Sequence, residues 1–176
     1  MAIIGACCGF ALNQFREKPL PLVYSPKAER IRHAVAKLAV DTKTTPDPAP
    51  EAVTNAHSPL TAAAVHYLGL SEFREIVERT GKAIILDARP EVFHQLGHVP
   101  GAISLPRDDF EISYRKQRFL LERDKSKLIA IYCSDSSCED SQMVANALVK
   151  LAYTNVAIFK GGWSDWTQAR IPEEKP

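Results

Sequence analysis

The sequence predicts an α/β domain in which helices cover both faces of a parallel sheet. Three observations carry that prediction. AIILDA (83–88) and LIAIYC (128–133) are continuous apolar runs without polar alternation, the pattern of strands buried on both faces. Segments with helical period lie between and around them, and strand alternating with helix is the rhythm of parallel sheets. Each run also ends on a chemically capable side chain, Asp87 with Arg89 just beyond it and Cys133, at the strand ends where such sheets bind ligands.

Composition is consistent with a globular core. Of 176 residues, 45% are apolar and 24% charged, with 22 Lys+Arg against 21 Asp+Glu and a formal charge of +1. That balance gives no general attraction to nucleic acid, and no nucleic-acid partner is expected. Four cysteines, Cys7/Cys8 and Cys133/Cys138, are too few for a disulfide framework.

Residues 1–13 form an apolar segment. AIIGACCGFAL (2–12) would rise only about 16 Å as a helix, half a hydrocarbon core. No basic region precedes it, which argues against a secretory signal. It is expected to be the end of a membrane anchor, or else a short helix packing on a partner or the bilayer surface. The basic residues that follow favour a cytoplasmic body tethered to the inner face of a membrane. Residues 14–61 hold a basic helix and a linker. Ser25-Pro26 supplies a cap and a first-turn proline, and Ile31, Ala34, Val35 and Leu38 recur at helical spacing. Lys27, Arg30, Arg32 and Lys37 fill the other side, so residues 1–40 are a candidate membrane contact. From residue 41 to 59, Pro46, Pro48, Pro50 and Pro59 interrupt any periodicity, as in a linker.

The α/β domain occupies residues 62–176. AAVHYL is a short strand, and EFREIVERT a helix capped by Ser71 with Phe73, Ile76 and Val77 on one face. After AIILDA come the helical EVFHQL, the strand AISL and a charged helical stretch over 108–125. SQMVANALVKLAY (141–153) is an amphipathic helix, and VAIFKGGW closes with a last strand and a glycine turn.

Cys133 opens a loop, Ser134-Asp135-Ser136-Ser137-Cys138-Glu139-Asp140, that runs into a helix. Backbone N–H groups and a positive helix end around a cysteine favour its thiolate, which makes a nucleophile. The histidines His33, His57, His66, His94 and His98 lack ligand spacing with the cysteines, so neither metal nor other cofactor is expected.

LDAR (86–89), GHVPGA (97–102), IYC (131–133) and FKGGWSDW (159–166) occur in the order and spacing of a rhodanese homology domain, and residues 66–172 resemble that family. The resemblance implies a three-layer α/β/α fold with a central parallel sheet, here preceded by an apolar and helical N-terminal extension. It implies a sulfurtransferase or persulfide carrier in which Cys133 takes a sulfane sulfur from a small donor and passes it to a thiol or protein acceptor. Ser134, Asp135, Ser136, Ser137, Cys138 and Glu139 would form the cradle. Asp87, Arg89 and His98 match the family's supporting residues, more as structural braces than as acid–base groups.

The loop also departs from the family pattern. It is about two residues longer than in many active rhodaneses, lacks a cation and carries Asp135, Glu139 and Asp140. A dianionic donor would be repelled unless Arg115 or Arg118 reached over. The extended loop resembles that of phosphatase-like relatives, but their chemistry needs an arginine where Glu139 stands. Cys138 is placed to attack a persulfide or sulfenate on Cys133, leaving a disulfide; alternatively it is a small residue at the helix start. The competing functional class is a rhodanese-like interaction or regulatory module without turnover.

Overall fold

A computed structural model describes residues 26–41, 65–79 and 81–176. The apolar segment 1–13 with Cys7 and Cys8, the Ser25 cap and nearly all of the proline-rich linker lie outside the described residues. Helix α1 (Lys27–Asp41) comes first, followed by strand β1 (His66–Leu68) and helix α2 (Leu70–Glu78). Strand β2 (Ala83–Asp87), the short α3 (Glu91–Leu96) and β3 (Ile103–Ser104) follow, then α4 (Phe110–Leu121). The chain continues through β4 (Leu128–Tyr132), α5 (Asp140–Lys150), β5 (Val156–Phe159) and α6 (Gly162–Gln168).

The five strands are all parallel in the order β1-β5-β4-β2-β3. The two apolar runs are its neighbouring central strands, β2 and β4, with Asp87 opposite Tyr132 in register. Alternation along each strand feeds two cores. Ile84, Leu86, Ile129, Ile131, Val156 and Ile158 pack under α1, α4 and α5. Ile85, Ala130, Tyr132 and Phe159 face the other way, where Phe73 of α2 stacks on Phe159 at 4.4 Å and meets Trp166 of α6 edge-on at 5.8 Å. A strand buried on both faces has no polar side, which is why these segments read as unbroken apolar runs. The three-layer architecture is therefore as expected.

Several element assignments change. Ser71 lies inside α2, and Gly69 caps that helix, its N–H donated to the Glu72 carboxylate at 2.9 Å. The tract after β5 is more than a glycine turn, because it contains helix α6. The apolar stripe of α1 is buried against α4 and α5, with Leu38 in the core. Its charged side makes ion pairs with that same body: Arg30–Asp108 at 3.0 Å, Lys37–Glu111 at 2.9 Å and Asp41–Arg115 at 2.6 Å. Among the described residues, no helix is long and apolar enough to cross a membrane.

Candidate active site

The carboxyl ends of β2 and β4 carry two groups of side chains. The first centres on Asp87, which is fully buried at the last position of β2. Its carboxylate accepts hydrogen bonds from the Arg89 N–H at 3.0 Å, Arg89 Nε at 2.9 Å and an Arg89 terminal nitrogen at 2.7 Å. The Tyr132 hydroxyl donates to it at 2.8 Å, and His94 Nδ1 lies at 3.2 Å. Burial works against the charge, but the hydrogen bonds from His94 and Arg89, the charge of Arg89 and the Tyr132 hydroxyl outweigh it, holding Asp87 below the ordinary carboxylate range. Burial likewise opposes the Arg89 charge, and Asp87 more than compensates. Burial and the Asp87 charge push the Tyr132 phenol well above its usual value, so it stays a hydrogen-bond donor.

Arg89 also donates to the Gly97 carbonyl at 2.7 Å, and its guanidinium lies 4.4 Å over the Trp163 ring. His98 is buried, its Nδ1 2.8 Å from the His94 carbonyl and its ring stacked on His94 at 3.8 Å. Its backbone forms a two-way bridge with Glu174, whose carboxylate also accepts the Gly101 N–H. Asp87 and Arg89 thus brace each other and the 97–101 turn, and His98 joins them through His94. His94, Tyr132 and Trp163 complete this network, and sequence reasoning assigned none of them to it. His94 was legible only as one of several scattered histidines, yet its spacing of four from His98 was the available signal.

The second group is the loop after β4. Cys133 is buried at the strand end and forms a disulfide with Cys138, with a Cα–Cα distance of 6.2 Å. The loop backbone is held at both ends. At its start, α6 donates the Trp163 N–H to the Cys133 carbonyl and the Ser164 N–H to the Ser134 carbonyl, both at 2.8 Å. At its end, the Asp135 carboxylate accepts the Ser137 N–H at 2.8 Å and the Ser137 hydroxyl at 2.5 Å, while the Asp135 carbonyl takes the Cys138 N–H. The Ser137 hydroxyl and N–H lower the Asp135 pKa, so this exposed loop carries a fixed negative charge. Two amides that a cradle would aim at a ligand are therefore occupied by Asp135.

Ser134, Ser136 and Glu139 are exposed on the same loop, Glu139 immediately before α5. Neither Arg115 nor Arg118 serves the loop: Arg115 pairs with Asp41 and Glu111, and Arg118 with Glu122. Among the described residues, the buried Arg107 does approach, with its Nε 3.0 Å from Asp140. The ligand atoms of Cys133, Cys138 and Asp140 lie within 4.8 Å of one another. In the disulfide the sulfurs offer no thiolate and Asp140 is engaged by Arg107, so this trio is not set up as a metal centre in the oxidised form. Trp163 joins the two groups, its N–H on Cys133 and its ring under Arg89.

Comparison with known proteins places the chain in a family. Residues 70–169 match the family model of the Rhodanese-like domain. Over 108 residues the chain is 32% identical to the Adenylyltransferase and sulfurtransferase UBA4 of Candida albicans, covering 58% of this chain and 24% of that protein. The chain thus spans about a quarter of the length of this curated relative. The crystal structure of the BH2092 protein of Bacillus halodurans superposes with a TM-score of 0.53 at 18% identity, covering 85% of this chain and 87% of that one. The solution structure of the rhodanese-like domain of the Anabaena Alr3790 protein gives 0.52 at 22% identity, over 62% and 79%. At such identities these two likenesses speak for the fold. The family model spans more than half of the sequence and takes in both strand ends, the loop and α6, and by that match the chain belongs to the rhodanese-like domain family.

Proposed function

We propose that the protein is a sulfurtransferase or persulfide carrier whose nucleophile is Cys133, acting from the reduced form of the Cys133–Cys138 pair. The observation that carries this reading is the placement of Cys133: it directly follows the central strand β4, with its carbonyl pinned by the Trp163 N–H of α6. A rigid mount of this kind positions a sulfur for attack. The Cys133 thiolate would attack the outer sulfur of a sulfane donor, breaking the donor's S–S bond and releasing its leaving group with the electron pair. An acceptor thiolate would then attack that outer sulfur and return Cys133 as thiolate. The sulfurtransferase in the name of the Candida albicans relative supports this class.

The charge of the loop narrows the donor. Asp135 is held ionised, Glu139 is exposed, and Arg115 and Arg118 are engaged elsewhere. A dianion such as thiosulfate is therefore a poorer fit than a low-molecular-weight or protein persulfide. Asp87, Arg89 and His98 act as braces for the strand ends, without direct chemistry. The test is to reduce the protein, remove the reductant, and offer thiosulfate, mercaptopyruvate or a small persulfide in parallel. Intact mass should show one added sulfur atom, mapped to Cys133, with the persulfide the best donor. If no donor adds sulfur while Cys133 still reacts with an alkylating agent, the interaction-module reading replaces this one.

A further inference from the structure

We infer that Cys138 gives this site a second exit, in which the carried sulfur is released reductively as hydrosulfide and the protein acts as a sulfane-sulfur reductase fed by a dithiol. The inference rests on Cys133 being the sulfur carrier. It adds a reaction that a single-cysteine carrier cannot perform alone.

The geometry places the two sulfurs in bonding contact at a sequence separation of 5, with a Cα separation of 6.2 Å. That spacing lies within the ordinary range for a disulfide, so the folded backbone accommodates the bond. Both sulfurs are mounted on a braced backbone. Cys133 is fixed by β4 and by Trp163, and Cys138 by its own N–H on the Asp135 carbonyl, beside the turn that Ser137 makes with the Asp135 carboxylate. A thiol held in this way competes as an intramolecular reagent, without the entropy of bringing in a second molecule.

Charge favours the internal reagent further. An external thiolate must approach an exposed loop carrying ionised Asp135, with Glu139 beside Cys138. Cys138 is already inside that field and meets no such barrier to approach.

In the loaded state Cys133 Sγ is bonded to the transferred sulfur. The Cys138 thiolate attacks Cys133 Sγ and the bond to the outer sulfur breaks, its electron pair leaving on hydrosulfide. The outer sulfur is reduced by two electrons, and the two cysteines are oxidised together to the Cys133–Cys138 disulfide. A small-molecule or protein dithiol then reduces that disulfide by thiol exchange. Over a cycle, one persulfide and one dithiol give one thiol, one hydrogen sulfide and one oxidised dithiol.

The two exits differ in which sulfur is attacked. Transfer requires an acceptor at the outer sulfur, whereas release requires Cys138 at the inner one. The acceptor supply therefore decides whether sulfur is handed on or discharged.

A single-turnover experiment on the full chain tests this. Reduced wild-type protein and C138S are each loaded with glutathione persulfide, desalted and incubated without acceptor. Hydrosulfide is trapped as a bimane adduct, and the protein is followed by intact mass and peptide mapping. Wild type is expected to lose its added sulfur, release one equivalent of hydrosulfide and gain the Cys133–Cys138 disulfide. C138S is expected to retain the sulfur on Cys133 and release hydrosulfide more than about tenfold more slowly. C138A, checked by circular dichroism alongside C138S, guards against a folding defect in one variant. If wild type holds its sulfur as long as the folded variants, or releases it without forming that disulfide, the reductive exit is overturned while the carrier stands. If the folded variants gain no sulfur although Cys133 remains alkylatable, the carrier assignment falls and the exit falls with it.

Discussion

Asp87 shows what the polar network beneath the site is for. Its carboxylate is fully buried, and its oxygens are taken up by Arg89, Tyr132 and His94. Replacing it by Asn removes one charge of a buried pair and strands Arg89, which itself is almost fully buried. Breaking such a pair typically costs about 3–5 kcal/mol, so D87N should unfold at markedly lower urea at pH 7. The pH dependence has a definite sign. The Asp87 pKa is lower in the folded protein than its unfolded value of about 3.9, so its stabilisation is complete above that value and is lost as pH falls through the folded one. The gap in unfolding free energy between wild type and D87N should therefore be constant near neutrality and narrow on acidification below about pH 4. A gap unchanged down to acid pH would show that the carboxylate charge is not what stabilises this corner. Asp87 and Arg89 were visible in the sequence because they end an apolar run. His94, Tyr132 and Trp163 were hidden because α3, β4 and α6 bring them together only through the fold.

At the scale of the element, α6 is the part that sequence patterning failed to define. Its seven residues, Gly162–Gln168, follow a glycine pair and are too few to display a helical period. The tract therefore read as a glycine turn after the last strand, whereas the helix carries Trp166 into the core. What the helix does for the loop depends on Gly162. It adopts a left-handed conformation at φ 61°, and a Cβ there would sit 2.6 Å from the Cys133 carbonyl and 2.9 Å from the Asp135 nitrogen. Both are backbone atoms, and the carbonyl is held by the Trp163 N–H, so no flexible side-chain end is there to yield. G162A should lose about 1–3 kcal/mol from backbone strain and steric displacement. It should also load sulfur on Cys133 more slowly, because the carbonyl that Trp163 holds must move. Gly69 is the control, since at φ −80° its added Cβ would meet only the Glu72 side chain at an ordinary 3.7 Å. Equal stability and equal loading of G162A and G69A, by urea unfolding and intact mass, would refute this role for α6.

For the molecule as a whole, the decisive question is whether α1 belongs to the folded unit. Its existence and apolar face were legible from Ile31, Ala34, Val35 and Leu38, because a 3.6-residue period announces a stripe. The surface that the stripe covers was not legible, since periodicity carries no information about the partner. The sheet supplies it: β2, β4 and β5 present Ile84, Leu86, Ile129, Ile131, Val156 and Ile158 on one face, and α1 packs with α4 and α5 over that core. The stripe so buried is the apolar surface that a bilayer contact by α1 would need. Two kinds of interaction hold the helix, and their magnitudes differ. The partly exposed pairs Arg30–Asp108 and Lys37–Glu111 are each worth less than about 1 kcal/mol. Leu38 is 2% exposed, and truncating a buried leucine costs about 2–5 kcal/mol. L38A should therefore lower the stability of the entire domain in one cooperative transition, while R30A and K37A shift it by less than about 1 kcal/mol. Unfolding monitored by Trp163 and Trp166 fluorescence reports on the far side of the sheet, so it registers loss of α1 only if the two are coupled. An L38A transition identical to wild type by that signal would mean that α1 rests on the domain without stabilising it.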